Sequence, residues 1–412
     1  MTQQTLSKTV SQLSYSRDVE QLFTCFPRAV PGCNLAVVLS SATESVPFGN
    51  HLAQSFEEIK EAAIMAKITP KENFMKIVRG GHPEYVPYFT MMGEGYLGEV
   101  ADAMLGPSIF GETHFVDGGR DMWGVPYKGT EGTDGATMPD TRVITLPDIE
   151  EWRTTLKFPT NVPKPDEIDW EKVYKEDLAR SNIDRTQTAV KTGPQLMPFQ
   201  ELVALMGFAD GLMALYTDPD EVLSMFHAMV DFLEPYYTKY IDVYKPDLWY
   251  MLDDTCAKES PFFSPETYRH VFKPIYERMA KPALDRGIPI IFHICGRFEP
   301  FLDDMLDFGV AIVEPTQETN DILKMKEKYK GRLGIIGGWD WGNRIPPNYP
   351  EYDEEELRQG VRDTIDKYAP GGGYAFSSWP ISYSGDTTLP KIKRIIRDEA
   401  HWYGRKVYGY KD

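Results

Sequence analysis

Ile290-Ile-Phe-His-Ile-Cys-Gly296 is the stretch on which the reading of this chain turns. It is an apolar run that closes on a histidine and a cysteine two residues apart, with a glycine directly after. Strand side chains alternate between faces, so on a strand His293 and Cys295 point the same way. An imidazole and a thiolate aimed together make half of a zinc site. A buried core histidine beside a buried free thiol has the same local sequence, so the choice falls to the rest of the chain.

On either side of this run, short apolar segments alternate with helical patterns. The segments are Tyr85–Met92, Asp247–Asp254, Ile288–Cys295, Ala311–Gln317, Arg332–Asp340 and Gly372–Trp379. Strands separated by helices signal βα units and a parallel sheet. Ser264-Pro265 starts one helix, in which Tyr268, Val271, Phe272, Ile275 and Met279 recur at helical spacing and Pro274 and Pro282 predict kinks. Asp353 with Glu356 makes a capping box ahead of Leu357, Val361, Ile365 and Tyr368, and Leu389, Ile392, Ile395 and Ile396 mark a last helix. Five βα units are marked in this way, and the preceding sequence has room for three more. The expected fold is therefore α/β, a (β/α)8 TIM barrel over residues 76–412 with a mostly helical N-terminal extension over residues 1–75. No G-x-G-x-x-G follows an early strand, which counts against a doubly wound dinucleotide fold.

Composition narrows the function. The chain has 412 residues, 62 acidic against 44 basic, and a net charge of −18. Nucleic-acid binding needs clustered Lys and Arg, so no nucleic-acid partner is expected. Apolar runs such as Leu35-Ala-Val-Val-Leu39 fall far short of the ~20 residues of a membrane span, and the start Met1-Thr-Gln-Gln4 lacks a signal-peptide pattern. A soluble cytoplasmic protein with no membrane partner is the expectation. Cys25, Cys33, Cys256 and Cys295 contain no CxxC pair and make no disulfide framework.

In a barrel the residues that end the strands converge on one mouth, where the chemistry sits. Here they are Asp253-Asp254, His293-x-Cys295, Glu314-Pro-Thr-Gln317 and Gly337-Gly-Trp-Asp340. Ligand or acid/base residues on four successive strands favour a metal centre. His293, Cys295 and Asp254 form the expected metal set, with Asp253, Glu314 and Cys256 as other sources of the third ligand. Asp253 and Glu314 are the expected acid/base residues, although an aspartate at such a place also caps helices and turns. Trp123, Tyr127, Gln317, Trp339, Asp340 and Trp379 are expected to line a pocket for a flat substrate. His270 and His401 fall off the apolar stripes and are expected at the surface.

With these residues in view, the chain resembles the uroporphyrinogen decarboxylase superfamily, and most of all its cobamide-dependent methyltransferase branch. The resemblance rests on His293-Ile-Cys-Gly296, Phe308-Gly-Val310, Glu314-Pro-Thr-Gln317, Gly337-Gly338, Asp340 and Gly371-Gly-Gly-Tyr374. It extends to Gly80-Gly-His-Pro-Glu-Tyr-Val-Pro87, Trp123-Gly-Val125, Met206-Gly-Phe208 and Asp218-Pro219. It implies a barrel whose His-x-Cys pair binds zinc, and methyl exchange with the cobalt of a separate corrinoid protein. It also implies a soluble enzyme that is often a homodimer. Two departures refine it. The Arg-Gln-Ala-Gly-Arg-Tyr motif of uroporphyrinogen decarboxylases is missing, which argues against a carboxy-lyase. Thiol-methylating members take a further zinc ligand from a cysteine near the last strand, where this chain has Phe376-Ser-Ser-Trp379. A zinc with fewer thiolates is the stronger Lewis acid. The expected reaction is therefore demethylation of an aryl methyl ether, with methyl transfer from methylcobalamin to a thiol, or a uroporphyrinogen decarboxylase-type carboxy-lyase reaction, as the alternatives.

Overall fold

The computed structural model describes residues 68–90, 100–110, 118–129, 137–340, 344–378 and 385–410. The expected extension over residues 1–75 lies outside them as far as residue 67, and Trp379 lies outside them too. Ten strands are numbered in chain order among the described residues. They are β1 Asp102–Met104, β2 Gly119–Arg120, β3 Pro126–Gly129, β4 Thr137–Pro139, β5 Ala189–Thr192, β6 Leu248–Leu252, β7 Ile290–His293, β8 Val310–Thr316, β9 Gly334–Trp339 and β10 Tyr374–Ser378.

Seven of them form one sheet, in the order β1-β5-β6-β7-β8-β9-β10, and every pairing is parallel. Tyr88 makes a further parallel bridge to Phe376, which sets the segment before β1 against the other end of the sheet. Helices connect successive strands, as parallel pairing requires. The long Pro219–Tyr244 precedes β6, Lys273–Leu284 precedes β7, and Glu354–Tyr368 precedes β10.

Alternation along the strands separates two cores. Phe89, Ala101, Ala189, Leu248, Ile291, Ile312, Ile336 and Ala375, one from each successive stretch, join a single inner cluster with Phe74 and Ile77. Their neighbours Val190, Trp249, Phe292, Val313, Ile335 and Phe376 belong to the outer cluster that packs on the helices. Eight stretches meeting in one inner cluster is the packing of a barrel, whose interior is filled by side chains. The expected α/β barrel is what the chain forms.

The inner cluster contains one ion pair. Lys191 on β5 bonds Asp102 on the adjacent β1, and both side chains are fully buried. Asp102 also accepts the Thr90 N–H at 3.0 Å, while Phe89 and Tyr250 turn their rings toward the ammonium, 4.1 and 5.4 Å from ring centroid to Nζ. A buried charge needs such company to offset its desolvation.

Several local expectations hold and others change. Ser264 caps its helix by accepting the Thr267 N–H at 3.1 Å, and Asp353 accepts the Glu355 and Glu356 N–H groups at 2.8 and 3.1 Å. The expected kink at Pro274 is replaced by a π-helical turn over Tyr268–Phe272, which leads into Lys273–Leu284. His401 is not a surface residue. It is buried, and its Nδ1 lies 3.0 Å from an Arg405 guanidinium nitrogen. The strands β2-β3-β4 form a small antiparallel sheet that the sequence did not announce. No single described helix is long and apolar enough to cross a membrane.

Candidate metal centre at the barrel mouth

The parity of each strand decides which side chains reach the mouth. On β6, Leu248, Tyr250 and Leu252 face the inner cluster, so Asp254 continues that face and Asp253 the opposite one. On β7, Ile291 leads to His293 and Cys295, and on β8 Ile312 leads to Glu314. The β6–β7 register sets Leu252 beside His293, and the β7–β8 register sets His293 beside Glu314. Three adjacent strands therefore bring an imidazole, a thiol and two carboxylates together.

Among the described residues, Asp254, His293 and Cys295 are the group that can hold a metal ion, their donor atoms all within 4.8 Å of one another. His293 Nε2 lies 3.7 Å from Cys295 Sγ and 3.8 Å from Asp254 Oδ1. Two ligands of a tetrahedral zinc, each bonded at about 2.0–2.3 Å, stand roughly 3.3–3.8 Å apart. The donor set and its spacing therefore fit zinc with an open fourth position. Asp254 is the carboxylate of this group, and Ser377 is not part of it.

The layer behind these donors is well connected. Glu314, buried, lies 2.9 Å through Oε1 from His293 Nδ1, which leaves Nε2 to face the donors. Burial pulls the His293 imidazole down, but Glu314, Cys295 and Asp254 outweigh it and hold the group well above its ordinary range. Burial raises the Cys295 thiol against the pull of His293. Asp254 Oδ1 accepts the Cys295 backbone N–H at 2.7 Å, and Asp254 Oδ2 accepts from Gln200 Nε2 at 2.9 Å.

Gly296 follows at φ +85°, a conformation that favours glycine, and a Cβ there would sit 2.4 Å from the Ala257 carbonyl oxygen. The β6 and β7 loops can approach each other only because this residue has no side chain.

Several expected site residues have other duties. Asp253 is fully buried on the helix side, where it accepts the Phe199 N–H and the Tyr276 O–H at 2.7 Å and the Gln200 N–H at 3.1 Å. Burial pushes its carboxyl up to about 7 against the pull of those bonds. It caps the helix Pro198–Met206 and is not in the donor group. Glu314 stands behind His293 and is not itself in the donor group. Cys256 is a buried thiol outside that group, pushed up to about 12 by burial.

Gln317 accepts the Gly296 N–H at 2.5 Å, so it fastens the loop after Cys295. Trp123 is buried against Phe158 and Phe232, and Trp339 is buried on Gly360 with Arg344 over its ring. Tyr127 is half-buried on the small sheet, and Asp340 is half-buried just past β9. The sequence reading missed Gln200, which no motif marks.

Nitrogen, sulfur and oxygen donors thus meet at the C-terminal ends of the strands of a parallel barrel, the end where barrel enzymes place their active sites. Residues 178–380 match the family described as uroporphyrinogen decarboxylase (URO-D). A methylcobamide:CoM methyltransferase from Methanosarcina barkeri is 24% identical over 140 residues, which are 34% of this chain and 38% of that protein. A solved methyltransferase from Methanosarcina mazei superposes with a TM-score of 0.55 at 14% identity, over 81% of this chain and all of that one. That likeness shows the fold. Just under half of the chain is thus similar to the uroporphyrinogen decarboxylase family, and a shorter stretch is similar to a methylcobamide:CoM methyltransferase.

Proposed function

We propose that this protein is a zinc-dependent methyltransferase that demethylates an aryl methyl ether and passes the methyl group to the cobalt of a separate corrinoid protein. The observation that carries the reading is the donor group itself: one thiol, one imidazole and one carboxylate, with His293 Nε2 3.7 and 3.8 Å from the other two and all three within 4.8 Å of one another. A zinc bound there would supply Lewis acidity at the ether oxygen, where negative charge develops as the methyl group departs. A single thiolate leaves more of that acidity than two would.

The protein's own residues keep the donors in place. Glu314 fixes the His293 tautomer, the Cys295 N–H and the Gln200 amide orient Asp254, and Gln317 holds the turn at Gly296. Tyr250 forms the floor beneath His293 with its ring centroid 6.3 Å away, and its phenol is kept protonated by burial and by Glu314.

Transfer to a thiol is the second reading, and the name of the Methanosarcina barkeri relative favours it. The serines at positions 377 and 378, in place of cysteine, favour the ether. The test is to mix the protein with a reduced corrinoid protein and a panel of methoxylated aromatics, methanol and thiols while following the cobalt absorption spectrum. The ether reading predicts a change with methoxylated aromatics. A change only with a thiol and methylcobalamin would overturn it.

A further inference from the structure

We infer that Gln200 is a positioning residue of the metal centre, held by one of two consecutive aspartates so that it can orient the other. The inference rests on the metal-centre reading above and holds whichever methyl compound is used.

Adjacent residues at a strand end point to opposite faces, so Asp253 turns to the helices and Asp254 to the mouth. Both nevertheless bond the same residue. The Gln200 backbone N–H donates to Asp253 Oδ1 at 3.1 Å, and its side-chain Nε2–H donates to Asp254 Oδ2 at 2.9 Å. Gln200 is thus fixed at both ends by one dipeptide from the neighbouring strand.

The backbone end is firmly anchored. Gln200 lies in the first turn of Pro198–Met206, where the leading N–H groups have no partner within the helix. Met197 at the N-cap position offers no side-chain acceptor. Asp253 supplies one from another strand by accepting the Phe199 and Gln200 N–H groups, and Tyr276 donates its hydroxyl to the same carboxylate. Asp253, Tyr276 and Phe199 are all buried, so this anchor is shielded from water.

The side-chain end acts on the metal donor. The terminal torsion of an aspartate is broad and roughly two-fold, so an unrestrained carboxylate does not hold one oxygen toward a metal. Asp254 is restrained twice: the Cys295 N–H binds Oδ1 at 2.7 Å and Gln200 Nε2 binds Oδ2 at 2.9 Å. Oδ1 is the oxygen that lies 3.8 Å from His293 Nε2, and it is therefore the one placed to ligate. With the Gln200 donor removed, Oδ2 loses the bond that Gln200 Nε2 supplies, and the carboxylate can turn.

The test measures metal affinity rather than turnover. Gln200→Met keeps the length of the side chain and removes the donor, while Gln200→Asn keeps an amide too short to reach. Loss of a partner behind a metal ligand weakens binding by about 10–100-fold. Zinc competition against a chromophoric chelator should show that weakening for both variants, and cobalt(II)-loaded protein should show an altered visible spectrum. Glu201→Gln, one residue along the same turn and outside the bond to Asp254, should bind zinc as the parent does.

If either Gln200 variant folds and binds zinc within twofold of the parent, the positioning role is wrong. If Glu201→Gln weakens zinc equally, the effect belongs to the helix as a whole and the role is again wrong. If the parent itself binds no stoichiometric zinc, the metal-centre reading fails and this inference fails with it.

Discussion

Replacing Glu314 probes the layer that holds His293. Its Oε1 lies 2.9 Å from Nδ1, and only 2% of the side chain is exposed, so no water stands ready to replace it. Glutamine can still offer an oxygen to the ring N–H but without its charge. A hydrogen bond to a charged group contributes about 1.5–3 kcal/mol, and a neutral one about 0.5–1.5 kcal/mol. The difference is about 1 kcal/mol, or roughly fivefold in affinity. Leucine offers no acceptor, so the imidazole N–H is left buried and unpaired, at a cost of about 1–3 kcal/mol in a site that must also fix the tautomer. The expected order of zinc affinity is parent, then Glu314→Gln weaker by about fivefold, then Glu314→Leu weaker by about 10–100-fold. Chelator competition at fixed pH measures it, with far-ultraviolet circular dichroism to show that the variants are folded. A folded Glu314→Leu protein that binds zinc as tightly as the parent would refute the claim that Glu314 acts through His293.

Three further outcomes follow from particular contacts. The buried His401 accepts from Arg405, and burial with the Arg405 and Arg397 guanidiniums lowers its pKa to about 2. The folded state keeps this ring neutral while the unfolded chain protonates below about 6.5, so its contribution is lost as pH falls from there, by up to ~1.4 kcal/mol per pH unit. Urea melts between pH 7 and 5 should show a flatter pH slope for His401→Gln, and identical slopes would count against it. Lys191→Met leaves Asp102 buried without its cation and should destabilise the fold by about 3–5 kcal/mol, much of it recovered by adding Asp102→Leu. A loss below about 1 kcal/mol in the single variant would contradict that. Gly296→Ala sets a Cβ against the Ala257 and Cys256 carbonyl oxygens and should weaken zinc binding by separating the two loops. Unchanged affinity would show that the loops do not depend on that approach.

Much of the barrel was legible because its later strands are uniform. β6 to β10 are largely apolar runs set between helices, and each falls on the segment expected for it, β8 starting one residue earlier at Val310. β1 and β5 were not legible, because Asp102-Ala-Met104 and Ala189-Val-Lys-Thr192 carry charges that read as exposed. Those charges neutralise each other across the sheet, a fact that exists only after folding.

At the site, His293 and Cys295 could be paired from their spacing alone. The choice between Asp253 and Asp254 was also present in the sequence, since counting in twos from Leu248 reaches Asp254 and passes over Asp253. On β9, Trp339 packs on the helix side, against Gly360. Gln200 carried no such signal. It meets Asp254 only because a helix start and a strand end far apart in sequence are brought together.

The most direct measurement is the zinc K-edge X-ray absorption spectrum of protein loaded with one equivalent of metal. The account predicts one sulfur neighbour at about 2.3 Å, from Cys295, and nitrogen or oxygen for the remaining neighbours at about 2.0–2.2 Å. Two sulfur neighbours, or none, would contradict it.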